Sequence, residues 1–394
     1  MSQHYEDLTR SSDVNEQNLT ELPPTILGPG VVDPFDSLSP GLSKRTEDLI
    51  YHSKTIQGIE SDESLVLSTE AISIINQRLE DGALNDGTIS AVACLAGLES
   101  FDGSLSSVKT HMDGLEQMIK TRGGLIVGDL SLAAQRLESL AQPLVRADLG
   151  SANAMSTSPR FDVPDWLISD NLHNTEITRL LQTLENLKRS RGMVISAEDS
   201  VVETVHHQLS SVFESLHALT DILDWARKMS ISDLDDICYS DWLYLTQRAL
   251  MFILENSKRT KYGLDTCCSI AGLIYVECCL RDANTSCRIV CDLVARLVDS
   301  LEQLKIRPRH EVCHQVYGHW IFWAIFVGAV AAEHQERSNV EGSAAAKDKL
   351  MRWLAAVSGN FIDKPWLEVE KSLRAICWSD MGGTFVGAFL WDQI

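Results

Sequence analysis

The stretch His111-Met112-Asp113-Gly114-Leu115-Glu116-Gln117-Met118-Ile119-Lys120-Thr121-Arg122-Gly123-Gly124-Leu125 decides the fold class of this chain. It predicts an amphipathic helix, because Leu115, Met118 and Ile119 recur at helical spacing and share one face. Two basic residues fall in the predicted last turn, where cations suit the negative end of the helix dipole. The Gly123-Gly124 pair supplies the left-handed conformation that ends many helices.

The same helical pattern extends along the chain from about residue 42 onward. Asp86 is predicted to cap one helix, and Pro308 is predicted to open another. Helices are predicted over residues 65–79, 86–98, 130–149, 174–189, 201–228, 242–257, 265–280, 285–304, 308–333, 344–357 and 366–378. No alternating run typical of strands persists, and no repeat of about 30 to 45 residues recurs. The sequence therefore predicts an all-α protein, a single large domain of antiparallel helix pairs.

Two other segments have the composition of irregular structure. Residues 1–41 are predicted to be a disordered acidic tail followed by an extended arm rich in proline and glycine. Residues 150–165 are small and polar with two prolines, and they predict a loop that subdivides the helical domain of residues 42–394.

Composition limits the function and the compartment. The 394 residues are 44% hydrophobic, which is enough for a large core, and 34 Lys and Arg face 55 Asp and Glu for a formal charge of −21. So acidic a chain is not expected to bind DNA strongly by itself, because DNA affinity depends on neutralised phosphates. Ten cysteines without a secretory signal indicate reduced thiols in the cytosol or nucleus.

One stretch, 312–332, has a composition like that of a membrane span. Its strongly apolar part, 320–332, is shorter than the roughly 20 residues that a spanning helix needs. We therefore expect a buried core helix here and no membrane association.

Six cysteines raise the question of a zinc site: Cys267, Cys268, Cys278, Cys279, Cys287 and Cys291. Zinc modules use pairs of cysteines separated by two residues in tight turns. These cysteines instead include two adjacent pairs inside apolar helical segments, and adjacent helical residues diverge by about 100°. Packing in the core is the favoured interpretation.

His310-Glu311-Val312-Cys313-His314 matches the H-E-x-x-H signature of zinc proteases, with Glu311 as the general base. Pro308 places His310 in the first turn, and Glu333 is too far along the predicted helix to be the third ligand. A histidine pair at a helix start is therefore favoured.

The adjacent side chains of His206 and His207 point in different directions on their predicted helix. The basic cluster 188–191 is interpreted as a solvated helix end, with a nuclear import signal as the alternative.

Four phrases, taken together, resemble the fungal-specific transcription factor domain. The opening stretch resembles its H-x-x-G-L-x-x-M-x-x-x-R-G-G-L phrase, and 27–35 resembles its L-G-x-G-x-x-D-P-F entry segment. Residues 320–332 resemble its L-W-A-L-F-V-G-G-x-A-A helix, and 366–378 with Leu390-Trp391 resembles its closing element. The resemblance covers about residues 25–394.

This resemblance implies a fungal transcriptional regulator, located in the nucleus or in both nucleus and cytoplasm, that controls a metabolic or secondary-metabolite gene cluster through protein contacts. The family's DNA-binding module needs six cysteines, whereas the first cysteine here is Cys94 and the N-terminus is acidic. A stand-alone regulator, a partner of a DNA-binding protein and a gene model without its first exon all remain open.

The partners implied are a DNA-binding transcription factor or the transcription machinery, with a homodimer or heterodimer allowed. The alternatives are a cytosolic helical scaffold and a zinc hydrolase using His310, Glu311 and His314. We expect no enzyme activity, catalytic residue, metal ligand or cofactor.

Overall fold

A computed structural model describes residues 62–82, 84–102, 105–124, 130–162, 175–192, 198–229, 236–257, 263–281, 283–304, 318–361, 363–379 and 384–394. The helices in these ranges are α1 Asp62–Glu80, α2 Asp86–Asp102, α3 Leu105–Arg122, α4 Leu130–Met155, α5 Thr175–Gly192, α6 Glu198–Lys228, α7 Asp236–Ser257, α8 Gly263–Tyr275, α9 Arg288–Leu304, α10 Gly318–Arg337, α11 Ser343–Val357, α12 Trp366–Arg374 and α13 Thr384–Trp391. A π-helical turn, Val276–Leu280, continues α8. The described residues contain no strand, and the predicted all-α class is confirmed.

Helix ends agree with the sequence in one place and differ in two. The amide of Gly124, at φ +118°, donates to the carbonyl of Ile119 at 2.9 Å, so the glycine pair ends α3 as predicted. The prediction that Asp86 caps α2 is wrong. The Asn85 Oδ1 atom accepts the Thr88 amide at 2.9 Å, and Asp86 lies inside the first turn, paired with Arg122.

The second difference concerns the loop predicted at 150–165, because α4 continues through 150–155. The small residues there are packed against other helices and are not solvated. A Cβ atom on Gly150 would lie 3.2 Å from the Cβ atom of Ser100 in α2. Small residues that suggest a loop are here what allows two helices to approach closely. The proposed subdivision of the domain stays a prediction.

The described helices enclose two clusters of buried apolar side chains. The small cluster is formed by α1, α2, α3 and the middle of α4, and it includes Ile89, Met112, Leu115 and Leu144. The large cluster runs from the end of α4 through α13. Helix α4 therefore contributes to both clusters, and α2 and α4 also contact α9.

Helix α10 lies at the centre of the large cluster, and the prediction of a buried helix over 320–332 is confirmed for its described residues. Trp323 is fully buried, and its indole Nε1 donates to the Cys377 carbonyl at 2.6 Å. A Cβ atom on Gly328 would lie 2.5 Å from Leu297 Cδ2 and 3.3 Å from Leu350 Cδ2. The absent side chain therefore lets α9 and α11 approach α10 closely.

Among the described residues, one helical segment is long and apolar enough to cross a membrane. It is Gly263–Leu280, with mean hydropathy 1.4. Of the 312–332 stretch that the sequence singled out, residues 312–317 lie outside the described residues. The Gly263–Leu280 segment is 72% buried within the protein, as the core helix of a folded domain would be.

Candidate functional site

Residues 111–122 of the opening stretch form the C-terminal part of α3, and their side chains lie on two faces. Its apolar face, which includes Met112 and Leu115, is fully buried in the small cluster. Its polar face presents Asp113 and Glu116 to solvent, with about half of the Asp113 side chain exposed. Residues 111–122 thus contribute both to the core and to an acidic surface.

Segment 156–162, which leaves the end of α4, contacts the acidic face of α3. The Arg160 guanidinium donates to Asp113 Oδ1 at 2.7 Å and lies 3.6 Å from Glu116 Oε2. The hydrogen bond from Arg160, followed by one from Lys109, lowers the pKa of Asp113. Because this carboxylate is exposed, the ion pair adds little to stability, and its main effect is to position segment 156–162 on α3.

The same segment turns back onto α4 through its backbone. Ser156 has a left-handed φ of +55°, and the Thr157 amide donates to the Ala152 carbonyl at 2.9 Å to end the helix. The Arg160 amide then donates to Asp148 Oδ1 at 2.6 Å, and the Phe161 amide donates to Oδ2 at 3.1 Å. Asp148 therefore fixes the path of the segment from inside the protein.

Arg248, on α7, completes the arrangement from the large cluster. It is 1% exposed, and its Nη1 atom lies 3.5 Å from Asp148 Oδ2 and donates to the Tyr244 hydroxyl at 2.8 Å. Its Nη2 atom donates to the Phe161 carbonyl. The guanidinium also lies 5.5 Å from the ring centroid of Phe252. We call Asp148, Arg160, Phe161 and Arg248 the junction, because they join α3, α4 and α7.

Burial dominates the electrostatics of the junction. It raises the pKa of Asp148 to about 6, although the Arg160 amide and the Arg248 guanidinium lower it. Burial also raises the pKa of Tyr244 to about 12. Asp148 is 1% exposed, so neither charged partner is placed to meet a substrate. The junction can hold elements together, and its chemistry does not point to catalysis.

The closing family phrase falls in α12 and α13, which pack on α10. Phe326 stacks on Trp366 with ring centroids 5.6 Å apart, and a Cβ atom on Gly387 would lie 2.6 Å from Trp366. The Trp391 indole donates to the Lys364 carbonyl at 3.0 Å. Helix α12 ends at Arg374, earlier than the predicted Trp378, because the chain turns there and brings the Cys377 carbonyl to Trp323.

The cysteines that raised the zinc question lie in or beside α8 and α9. Cys267, Cys268 and Cys287 are buried, and Cys278, Cys279 and Cys291 are partly buried. Burial raises the pKa of Cys267 to about 12 and also raises the pKa of Cys268 and Cys278. The predicted core packing is confirmed for the buried three. Within the described ranges, no three His, Cys, Asp or Glu side chains are placed to hold a metal ion.

The H-E-x-x-H residues His310, Glu311 and His314 lie outside the described residues, and so does the 27–35 entry segment. Glu333 forms ion pairs with Arg337 at 2.7 Å and Lys347 at 2.6 Å. Burial acts to raise the pKa of Glu333, but hydrogen bonds from these two cations lower it overall. The pair His206-His207 lies in α6 and the basic cluster 188–191 lies in α5, but their side chains are not described.

Sequence reasoning missed the junction. Its signal was Arg248, a single charge inside the apolar run 242–254 of α7. A charge in such a run needs a buried partner. The sequence could not name that partner, because Asp148 lies 100 residues earlier.

Three of the four stretches that resemble the family lie in described helices: in α3, in α10, and in α12 with α13. No curated protein and no solved structure is detectably similar to the chain. The sequence model of the fungal specific transcription factor domain matches residues 46–361. That range holds α1 to α11 and excludes α12, α13 and the 27–35 segment. The chain belongs to the fungal-specific transcription factor domain family and is a fungal transcriptional regulator.

Proposed function

We propose that this regulator acts in the nucleus through protein contacts and controls the genes of a metabolic or secondary-metabolite pathway. Family membership over residues 46–361 is the observation that supports the regulatory part most strongly. The charge of −21 supports contacts with basic proteins over direct contacts with DNA. DNA would be engaged through a partner or through a module outside this sequence.

The proposal assigns the chain no enzymatic role. Two deeply buried carboxylates are used in ion pairs: Asp148 with Arg248 and Glu333 with Lys347. The described cysteines with shifted pKa values are shifted upward, away from the thiolate form that nucleophilic catalysis needs. Both observations favour structural use of these side chains.

Transcript profiling of a deletion strain against its parent tests the proposal. We expect a coherent set of genes, enriched in chromosomal neighbours, to change together and to return when the wild-type chain is restored. Restoration with Lys349→Met, an exposed surface change, should also succeed. Restoration with Trp323→Ala, which removes a fully buried core side chain, should fail.

Two results would contradict the proposal. An unchanged profile under conditions where the protein is expressed would favour the cytosolic scaffold. Exclusion of a tagged, functional chain from nuclei under all conditions would remove the nuclear part.

A further inference from the structure

Two large apolar side chains are exposed at the C-terminal end of α6. Trp225 is 53% exposed and Met229 is 62% exposed. The amide of Met229 donates to the Trp225 carbonyl at 3.0 Å, so Met229 continues the helical path one turn beyond Trp225. Single exposed apolar residues are common on protein surfaces. A tryptophan and a methionine that adjoin on one helix face instead form a patch, which is typical of an interaction site.

The patch continues towards the middle of α6. Ala218 and Ile222 are partly buried and contact the edge of the large cluster. Together, Ala218, Ile222, Trp225 and Met229 follow one another at spacings of four, three and four residues. This is the spacing of the apolar seam between two helices that pack as a coiled coil. We call these four residues the apolar stripe.

The apolar stripe is accessible from one flank. Leu219 and Ala226, on the flank that faces the large cluster, are 0% and 2% exposed. The opposite flank bears Asp221, whose side chain is 71% exposed, and Lys228, which is also exposed. A second helix that covers the apolar stripe therefore approaches beside one acidic and one basic side chain.

The order of these two charges favours a second copy of the same chain. If two α6 helices pair antiparallel about a two-fold axis, Ile222 of one protomer lies opposite Trp225 of its partner. The same axis places Asp221 of one protomer near Lys228 of its partner, and it does so twice. The surface is therefore self-complementary both in its apolar contacts and in its charges.

Both charged side chains also have contacts within their own chain. The His217 Nε2 atom lies 3.5 Å from Asp221 Oδ2, and Lys228 has an interaction of its own. Exposed ion pairs contribute little to stability, so side chains of this kind exchange partners at small cost. We expect the charges to select the antiparallel orientation, and the apolar stripe to supply most of the affinity.

We propose that two copies of this chain associate through the apolar stripe, with their α6 helices antiparallel. One short stripe is much smaller than the roughly 800 Å² per partner of a standard interface, so the dimer is weak and forms at micromolar concentration. The proposal goes beyond the regulatory function, and its test succeeds or fails whatever the profiling experiment gives.

Sedimentation velocity of the full chain from about 1 to about 200 µM tests the proposal. We expect a shift from monomer to dimer across this range. Trp225→Ser should weaken the dimer at least tenfold, because buried tryptophans often dominate interface energies. The matched control is Leu367→Ser on α12, which removes a side chain that is 75% exposed and should leave the dimer unchanged.

Two charge variants test whether the partner is a second copy. Asp221→Lys and Lys228→Glu each place like charges opposite one another and should weaken the dimer at least fivefold. An equal mixture of the two variants, or both changes in one chain, places opposite charges together again and should restore it. Circular dichroism checks that each variant folds.

Three results would overturn the proposal. The first is a wild type that stays monomeric throughout the range, which would leave the apolar stripe to a helix of another protein. The second is a dimer that Trp225→Ser does not weaken, or that Leu367→Ser weakens equally. The third is a mixture of the two charge variants that dimerises no better than either variant alone.

Discussion

The small and large clusters differ in what fills them. The described buried residues of the small cluster are aliphatic side chains, methionines and alanines, and none of them is aromatic. The large cluster buries aromatic rings in contact, such as Trp323 against Phe213 at 5.0 Å and Phe326 against Trp378 at 5.5 Å. Aromatic side chains bury more surface each, so the large cluster should hold most of the folding free energy.

The two clusters also differ in how they meet the rest of the chain. The large one is continuous across many helices, whereas the small one reaches it through α4, through contacts with α9, and through the junction. We infer that the helices α1 to α3 depend on the junction for their position. The stretch 111–122 therefore lies in the cluster whose position depends on contacts with the rest of the protein.

The largest expected effect comes from Trp323→Ala. This change removes a fully buried indole and its hydrogen bond to Cys377, and it should lower the free energy of unfolding by about 3–5 kcal/mol. Chemical denaturation followed by circular dichroism measures it. The matched control is Trp225→Ala, because Trp225 is 53% exposed and its loss should cost little. Equal effects of the two changes would mean that Trp323 is not central to the core.

Arg248→Met should have the next largest effect. It removes the cation that faces Asp148 while keeping an unbranched apolar side chain, and it should cost about 3 kcal/mol. The loss should be largest in the small cluster. Adding Asp148→Asn in the same chain should restore part of the stability, since no unpaired charge then remains. The two residues would instead act independently if the loss of unfolding free energy in the double variant equalled the sum of the losses in Arg248→Met and Asp148→Asn.

Two glycine changes should have opposite signs. Gly328→Ala places a methyl group against Leu297 and should lower the unfolding free energy by about 1–2 kcal/mol, because a packed core resists added volume. Gly114→Ala, in α3, meets no atom within 4 Å and should raise it by up to about 1 kcal/mol through helix propensity. Melting temperatures measure both. The same sign at both sites would contradict the packing described for α10.

The smallest effect concerns pH. The pKa of Asp148 is raised above its usual value to about 6, so the folded state holds this proton more tightly than the unfolded state does. The carboxyl therefore contributes most stability at low pH and loses it as pH rises through 6. Between about pH 5.5 and pH 7.5, wild type should lose on the order of 1 kcal/mol of unfolding free energy relative to Asp148→Asn. Urea titrations of both chains at the two values measure this difference, and a difference that does not change with pH would contradict the raised pKa.

Much of the fold followed from the sequence, because apolar periodicity over long helices is a strong signal. The helices predicted over 86–98, 201–228 and 344–357 are present with small shifts at their ends. The predicted helix boundaries were wrong where tertiary packing overrode the local sequence pattern. The 150–155 residues read as a loop by composition but are helical because α2 packs on them, and the π-helical turn in 276–280 has no periodicity of its own.

The junction could be predicted only in part. The burial of Arg248 was readable from the apolar run around it, but its contact with Phe161 joins residues 87 apart. The bond between Arg160 and Asp113 joins residues 47 apart, and all of α4 lies between them in the sequence. Pairings of this kind depend on where a connecting segment folds, and sequence periodicity carries no information about that path.

The central claim is that the junction holds the small cluster onto the large one. Native-state hydrogen exchange of wild type and Arg248→Met tests it most directly, with amide protection followed in α3 and in α10. We predict that the variant loses protection in α3, next to Asp113 and Glu116, and keeps nearly all of it in α10. An equal loss of protection in both helices, or no loss in α3, would contradict the account.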